Sequence, residues 1–347
     1  MTRTLICGIS GQDGAYLAKL LLEKGCEVYG GTRNVQTSTF NNLVKLGIKD
    51  EVNLVTININ DFRSVLQKIF DIKPDEIYNL AGQSSVSLSF EQPVETLESI
   101  STGTLNILEA IRFSKIPIRF YNAGSSECFG NGGIIPANEL TAFRPRSPYA
   151  VAKSAAFWEV ANYREAYNMF AVSGILFNHE SPLRGESFVT RKITRTVSQI
   201  VRGERETLFL GNLEAKRDWG HAKDYVEAMW LMLQQSIPED YVIATGVVTT
   251  VREFVRMAFN EVGIELDFIN TGIHEIGKIL HCKNQEYQLP IGKIVVAVDP
   301  KYFRPTDIEM LIGDPTKAQT ELNWKLRYDL PALVKDMMEN DLTIFKK

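Results

Sequence analysis

Tyr149 and Lys153 stand four residues apart, a spacing that puts both side chains on one face of a helix. A neighbouring ammonium stabilises a phenolate and lowers the tyrosine pKa. The pair therefore suits a tyrosine that takes or returns a hydroxyl proton during a hydride transfer. Many tyrosines at helix starts only pack, so the surrounding residues decide how to read it. Ser125 follows a strand pattern and ends at the edge where ligands of parallel sheets bind, so its hydroxyl can orient a substrate hydroxyl. Glu127 adds a second acid/base. Oxidation at one carbon acidifies its neighbour, and a carboxylate placed there can remove that proton and allow water to leave. A simple alcohol dehydrogenase needs no such group.

The hydride carrier is suggested upstream. Gly8-Ile9-Ser10-Gly11-Gln12-Asp13-Gly14 is a GxxGxxG turn between a strand pattern and a helix pattern. Backbone N–H groups and the helix dipole at such a junction favour a phosphate, and glycines let a pyrophosphate approach. The bland reading is a tight turn without a ligand; its strand–turn–helix context favours a dinucleotide. The second strand pattern ends at Gly30-Gly31-Thr32-Arg33, with no acid for a ribose 2′-hydroxyl but with a guanidinium suited to a 2′-phosphate. NADP is the expected cofactor, and Arg33 its discriminator.

These residues need a scaffold of alternating strands and helices. Apolar runs predict strands at 5–8, 27–31, 53–57, 76–80, 118–123 and 171–177. Helical spacing, with Leu17, Leu20 and Leu21 on one face, predicts helices after residue 11, over 61–72, 93–114 and 149–167. This alternation argues for an α/β fold, a doubly wound Rossmann parallel sheet. Past Asn178 the rhythm breaks and basic residues cluster, among them Arg191, Arg195 and Lys216. A helix over 223–235 and a strand over 241–244 still fit the sheet, whereas 268–296 reads as loops with short strands. The expected division is a Rossmann unit of 1–178 plus about 220–244, with 179–219 and 245–347 forming a smaller, partly interleaved α/β substrate unit. The length of 347 residues agrees with about two domains.

Composition narrows the class further. The net charge of -4 gives no general attraction to nucleic acid or anionic lipid. No apolar run reaches the roughly 18 residues of a membrane span, and the start runs directly into a strand pattern without a signal-peptide core. Cys7, Cys26, Cys128 and Cys282 are scattered, with no metal-like grouping. A cytoplasmic enzyme with reduced thiols and no metal is expected.

The sequence resembles the GDP-mannose 4,6-dehydratase family of extended short-chain dehydrogenases/reductases over almost its whole length. The resemblance rests on the glycine turn, Ile77-Tyr78-Asn79-Leu80, Arg144-Pro145-Arg146-Ser147-Pro148-Tyr149, the stretch Gly174 to Pro182, Phe188-Val189-Thr190-Arg191-Lys192, the run Ala215 to Trp230, and Arg304-Pro305-Thr306. It implies that Ser125 stands for the family's active-site threonine, that Glu127 takes the C5 proton and that Tyr149 is the catalytic tyrosine, with Lys153 beside it. It places Gln12, Asp13, Asn58, Ile59, Leu80, Ala81, Gln83, Lys153, His179 and Arg184 on NADP. Asn178, Lys192, Arg217 and Arg304 would hold a nucleotide diphosphate, in keeping with the fixed cations such a group needs. Ser84, Ser85, Ser126, Val189 and Asp307 would complete the substrate site.

The departures from the family pattern are Ile57-Asn58 for Gly-Asp, Ser125 for threonine, Ser85 for His or Phe, Asn34 for an arginine in the loop that assembles tetramers, and Asp307 for Glu. The implied activity is removal of water from a GDP-sugar, through C4 oxidation, C5/C6 elimination and hydride return to C6, in a homodimer or homotetramer. GDP-mannose is the first substrate and a GDP-manno-heptose the alternative, since Ser85 leaves room for a longer sugar. An epimerase or reductase would share Tyr149 and Lys153 without requiring Glu127.

Overall fold

The computed structural model describes every residue except Ile134, Gln285, Arg304, Pro305, Asp307, Glu309 and 345–347. The chain begins with alternating elements: β1 (Arg3–Cys7), α1 (Gln12–Glu23), β2 (Glu27–Thr32), α2 (Asn41–Lys45), β3 (Asn53–Thr56), α3 (Phe62–Ile72) and β4 (Glu76–Asn79). Next come α4 (Val86–Glu91), α5 (Pro93–Leu97), α6 (Gly103–Ser114), β5 (Arg119–Ala123), α7 (Pro148–Tyr167), β6 (Ala171–Leu176) and β7 (Asn178–Glu180). The second half holds α8 (Val189–Val201), β8 (Leu208–Leu210), β9 (Lys216–His221), α9 (Ala222–Leu233), β10 (Tyr241–Ile243), β11 (Val248–Thr250), α10 (Val251–Asn260) and β12 (Ile264–Ile269). It closes with β13 (Ile276–Cys282), β14 (Ile294–Val298), β15 (Met310–Leu311), α11 (Thr316–Glu321) and α12 (Leu330–Ile344).

Seven strands make a parallel sheet in the order β10-β6-β5-β4-β1-β2-β3. The order reverses at β1, the switch point of a doubly wound Rossmann sheet. Apolar side chains of α1 and α9, including Leu17, Leu21, Val226 and Met229, cover one face. Those of α3, α6 and α7, including Val65, Ile69, Leu108, Ile111 and Val160, cover the other. Cover on both faces is what a parallel sheet requires.

The expected helix over 93–114 is interrupted by a π-helical turn, Glu98–Thr102, between α5 and α6. The Thr104 hydroxyl donates to the Ile100 carbonyl at 2.7 Å, a competing bond that apolar spacing does not reveal. Of its expected apolar positions, Leu108 and Ile111 are buried, while Leu97 and Leu105 are exposed.

The second half builds two smaller sheets. β9 pairs with β7, β11 and β15 and so ties the halves together. The segment read as loops with short strands is more regular than expected: β12, β13 and β14 form an antiparallel meander, joined in parallel by β8. A second core gathers Ile193, Val197 and Ile200 of α8 with Phe254, Phe259, Leu333 and Met337. Ala318, Leu322 and Trp324 pack instead with the first core, so the segment around α11 returns to the Rossmann sheet. Among the described residues, no helix is long and apolar enough to cross a membrane.

Arg191 of α8 and Asp341 of α12 are fully buried and form an ion pair, and the Thr194 hydroxyl donates to the same carboxylate at 2.7 Å. Removing one partner leaves a buried charge without its counter-ion. Asp341→Ala is expected to lower stability by about 3–5 kcal/mol, measured by urea unfolding. A loss within about 0.5 kcal/mol, as for an ordinary surface substitution, would mean that the pair does not hold α12 in place.

Candidate active site

The sheet's carboxyl edge opens on a cleft of about 690 Å³ that continues into the second half of the chain. Its chemistry is set where β5 meets α7. Lys153 Nζ donates to the carbonyl of Ala123, the last residue of β5, at 2.8 Å. The same ammonium lies 5.8 Å from the centre of the Tyr149 ring. Ser147 caps α7, its hydroxyl accepting from Ala150 N at 3.1 Å, and Pro148 occupies the first helical position, so Tyr149 emerges at a fixed angle. Ser125 caps the short 3-10 turn Ser126–Phe129, which carries Glu127. Burial raises the Tyr149 phenol pKa, although its hydrogen bond with Ser125 works in the opposite direction. Burial also pushes the Lys153 ammonium down to about 8. Ser125, Glu127, Tyr149 and Lys153 all line the cleft.

The glycine turn lies beside it. A Cβ on Gly8, whose φ is +94°, would meet the Leu80 carbonyl oxygen at 2.7 Å, and one on Gly14 would meet the Gly8 oxygen at 2.4 Å. Those two glycines are dictated by backbone packing. A Cβ on Gly11 would meet only Gly8 O, at an ordinary 3.4 Å, so the chain itself leaves that approach open. α1 begins there without a side-chain cap, and its first N–H groups suit an anion. The turn residues Gly8, Ser10, Gly11, Gln12 and Gly14 border the cleft without lining it. Gln12 is buried; it donates to the His179 carbonyl at 3.1 Å and accepts from the Ser181 hydroxyl at 2.6 Å.

Asp13 does line the cleft and faces His179 Nε2 at 2.8 Å. The other ring nitrogen, Nδ1, lies 2.7 Å from the Phe177 carbonyl. With an acceptor at each nitrogen, the ring donates twice, as an imidazolium. Tyr225 stacks on it at 4.5 Å. Burial opposes both charges, yet the pairing outweighs burial: the Asp13 carboxyl is held below its usual 3.8 and the His179 ring above its usual 6.5, with Arg184 nearby acting against the ring's charge.

Leu80, Ala81, Gln83, Ser84 and Ser85 line the cleft after β4. Gln83 Nε2 donates to the Ser85 carbonyl at 2.7 Å, and Ser85 caps α4 by accepting from Leu88 N at 3.2 Å. Asn178, Arg184, Val189, Lys192 and Arg217 line the opposite wall. Arg184 pairs with Glu180 at 3.1 Å, and Lys192 Nζ sits 3.3 Å from the centre of the Tyr302 ring. Arg217 Nη1 donates to the Ile308 carbonyl at 2.6 Å.

Besides the turn residues, Arg33, Asn58, Ile59 and Ser126 do not line the cleft either. Arg33 and Asn58 are exposed past β2 and β3, which are neighbouring strands, and Ile59 beside Asn58 is buried. The Asn58 carboxamide oxygen accepts from Asn60 N at 3.2 Å. Ser126 is buried and does not line the cleft. Arg304 and Asp307 lie outside the described residues.

The sequence reading missed Thr196, Gln199, Arg205 and Tyr302, all on the far wall. Val189, Lys192, Thr196 and Gln199 recur at helical spacing, opposite the buried Ile193, Val197 and Ile200. That polar stripe was the available signal.

The sheet order and the Tyr149–Lys153 pair beside Ser125 define an extended short-chain dehydrogenase/reductase fold. Solved structures share it: the Thermotoga maritima UDP-glucose 4-epimerase superposes with a TM-score of 0.81 at 21% identity, over 99% of this chain and 100% of that one. The Bacillus anthracis dTDP-glucose 4,6-dehydratase gives 0.77 at 18% identity, over 98% and 96%. The chain belongs to the GDP-mannose 4,6-dehydratase family, whose pattern matches residues 5–337. It is 49% identical to the GDP-mannose 4,6-dehydratase of Yersinia enterocolitica, over 99% of this chain and 94% of that protein. It is 48% identical to the human enzyme of that name, over 99% and 92%.

The Asp13–His179 pair has a pH signature. A raised histidine pKa contributes stability in full below about 6.5 and loses it as pH rises through the folded-state value; a lowered aspartate pKa contributes in full above about 3.8 and loses it as pH falls. The stability difference between wild type and Asp13→Asn is therefore expected to peak between about pH 4 and 6.5 and to shrink on either side. Urea unfolding across pH checks this; a difference that stays flat would mean the two groups do not titrate as a pair.

Proposed function

We propose that the protein is an NADP-dependent GDP-mannose 4,6-dehydratase that converts GDP-mannose to GDP-4-keto-6-deoxymannose. The observation that carries this reading is Glu127 in one cleft with Tyr149, Lys153 and Ser125: an acid beside a redox pair is what elimination requires and simple oxidation does not. The near full-length likeness to enzymes of that name supports the same substrate.

The glycine turn and the start of α1 would take the cofactor's pyrophosphate, Arg33 its 2′-phosphate, and Asn58 with Ile59 its adenosine end. Leu80, Ala81, Gln83, Lys153, His179 and Arg184 would flank its reactive half. NADP held there supplies a hydride acceptor for C4 and later a hydride donor for C6. Tyr149, beside the Lys153 ammonium and Ser125, takes the C4 hydroxyl proton. Glu127 takes the C5 proton, made acidic by the ketone at C4. One of these two protons leaves with the C6 hydroxyl as water, and the other returns to C5, so the protons balance. Asn178, Lys192, Arg217 and Arg304 would hold the diphosphate, with Asp307 at the base or ribose and Val189 completing the substrate site. Ser84 and Ser85 would border the sugar. The small Ser85 side chain on the cleft wall favours a GDP-manno-heptose as the second substrate to test.

Mass spectrometry of GDP-sugars after incubation with the pure protein tests the reading. Loss of one water is expected; unchanged mass or loss of two hydrogens would overturn it. Glu127→Gln should stop dehydration while slow C4 oxidation continues, seen as a rise in reduced-nicotinamide absorbance. Normal product formation by that variant would move the C5 base elsewhere.

Arg33→Ala should weaken NADP by roughly ten- to a hundredfold and NAD far less, since only NADP offers the 2′-phosphate. Equal weakening of both in a binding titration would remove Arg33 from phosphate recognition.

A further inference from the structure

Glu180, the last residue of β7, is buried and stands where the sheet's loops meet the opposite wall of the cleft. Its Oε2 accepts from the hydroxyl of Thr190, a fully buried residue in the first turn of α8, at 2.6 Å. The same oxygen lies 3.1 Å from Arg184 Nε. The Arg184 guanidinium also stacks on Phe188, 3.6 Å from the ring centre, and Phe188 is the residue from which α8 starts. One carboxylate oxygen and one ring therefore join Arg184 to the start of the helix.

The body of α8 is fixed elsewhere. Arg191 and Thr194 hold it to Asp341 of α12, so Glu180 acts on the first turn, where Val189 and Lys192 line the cleft. Among the described residues no side chain caps α8 and its first turn holds no acid, so the Glu180 carboxylate supplies negative charge there. Its two contacts differ in kind. The Thr190 bond is short and aligned, whereas Arg184 Nε, although buried, lacks the alignment of a hydrogen bond. A buried N–H left unsatisfied is costly. A small turn of the guanidinium satisfies it, and a ligand gripping the outer nitrogens from the cleft supplies that turn.

We propose that Glu180 is a positioning residue that couples the two ligands of the cleft, so that each strengthens the binding of the other. This rests on the reading above, which puts the cofactor at Arg184 and the nucleotide diphosphate at Lys192. A cofactor held at Arg184 orders the guanidinium and, through Glu180 and Phe188, the first turn of α8. The diphosphate then has less left to order. The effect is reciprocal by thermodynamic necessity.

Calorimetric titration of the full chain tests this, with GDP as probe without and with saturating NADP, and with NADP as probe without and with saturating GDP. Wild type should bind each nucleotide roughly five- to twentyfold more tightly when the other is present. Glu180→Gln keeps an oxygen for Thr190 but loses the charge facing Arg184, and its factor should fall to about one. Thr190→Val, which leaves the Arg184 pair in place, should lower the factor in the same way. A purely structural loss would weaken GDP and NADP separately and leave the factor as in wild type; that result would overturn the proposal. A wild-type factor of about one would overturn it too, and the dehydratase reading would stand as long as both nucleotides bind. Failure of GDP to bind at all would overturn that reading, and the coupling with it.

Discussion

The hydrogen bond from Lys153 Nζ to the Ala123 carbonyl, 2.8 Å long, fixes how α7 lies against the end of β5. The groups proposed to be catalytic are all placed relative to it. Tyr149 sits one turn before Lys153, and Ser125 lies two residues past Ala123, so one bond brings phenol, hydroxyl and ammonium together. Glu127 follows on a 3-10 turn whose cap is Ser125 itself. A buried ammonium must find an acceptor, and the strand's last carbonyl gives one whose position the sheet determines.

The sheet in turn explains why these loops meet at all. Seven parallel strands deliver their carboxyl ends to one edge, so residues after β1, β4, β5 and β6 face the same space. The second half reaches that space through strand pairing: β7 pairs with β9, with Asn178 directly opposite Trp219, and both line the cleft. The wall opposite Tyr149 and Lys153 is thus attached to the sheet through the residues that follow β6. The Asp13–His179 pair adds a link between α1 and β7.

Local periodicity made the Rossmann half legible. The strands and the helices α1, α3 and α7 are amphipathic or uniformly apolar segments bounded by glycine or proline, and the four residues proposed for catalysis lie just past β5 or in the first two turns of α7. The π turn at Glu98–Thr102 was not legible, because a threonine hydroxyl bonding back to a carbonyl leaves no mark on apolar spacing. The meander of β12, β13 and β14 was read as loops because its strands are half exposed and interrupted by register shifts. Trp324 joining the first core, and Gln199 and Arg205 joining the cleft, depend on contacts between segments far apart in the chain. No pattern within either segment encodes such a meeting.

The site uses its two buried cations differently, and the partner of each explains how. His179 meets a carboxylate, so its charge is neutralised locally and the pair acts as a tie between segments. Lys153 meets a carbonyl, which orients the ammonium without cancelling its charge. Burial makes that charge costly and pulls the pKa down to about 8, while the field of Asp13 works in the opposite direction. The ammonium therefore persists at neutral pH beside a phenol whose own pKa burial has raised. A carboxylate in place of the Ala123 carbonyl would secure the lysine more firmly and leave less positive field at Tyr149. Holding it by a neutral dipole keeps that field available at Tyr149, as the proposed transfer of the C4 proton requires.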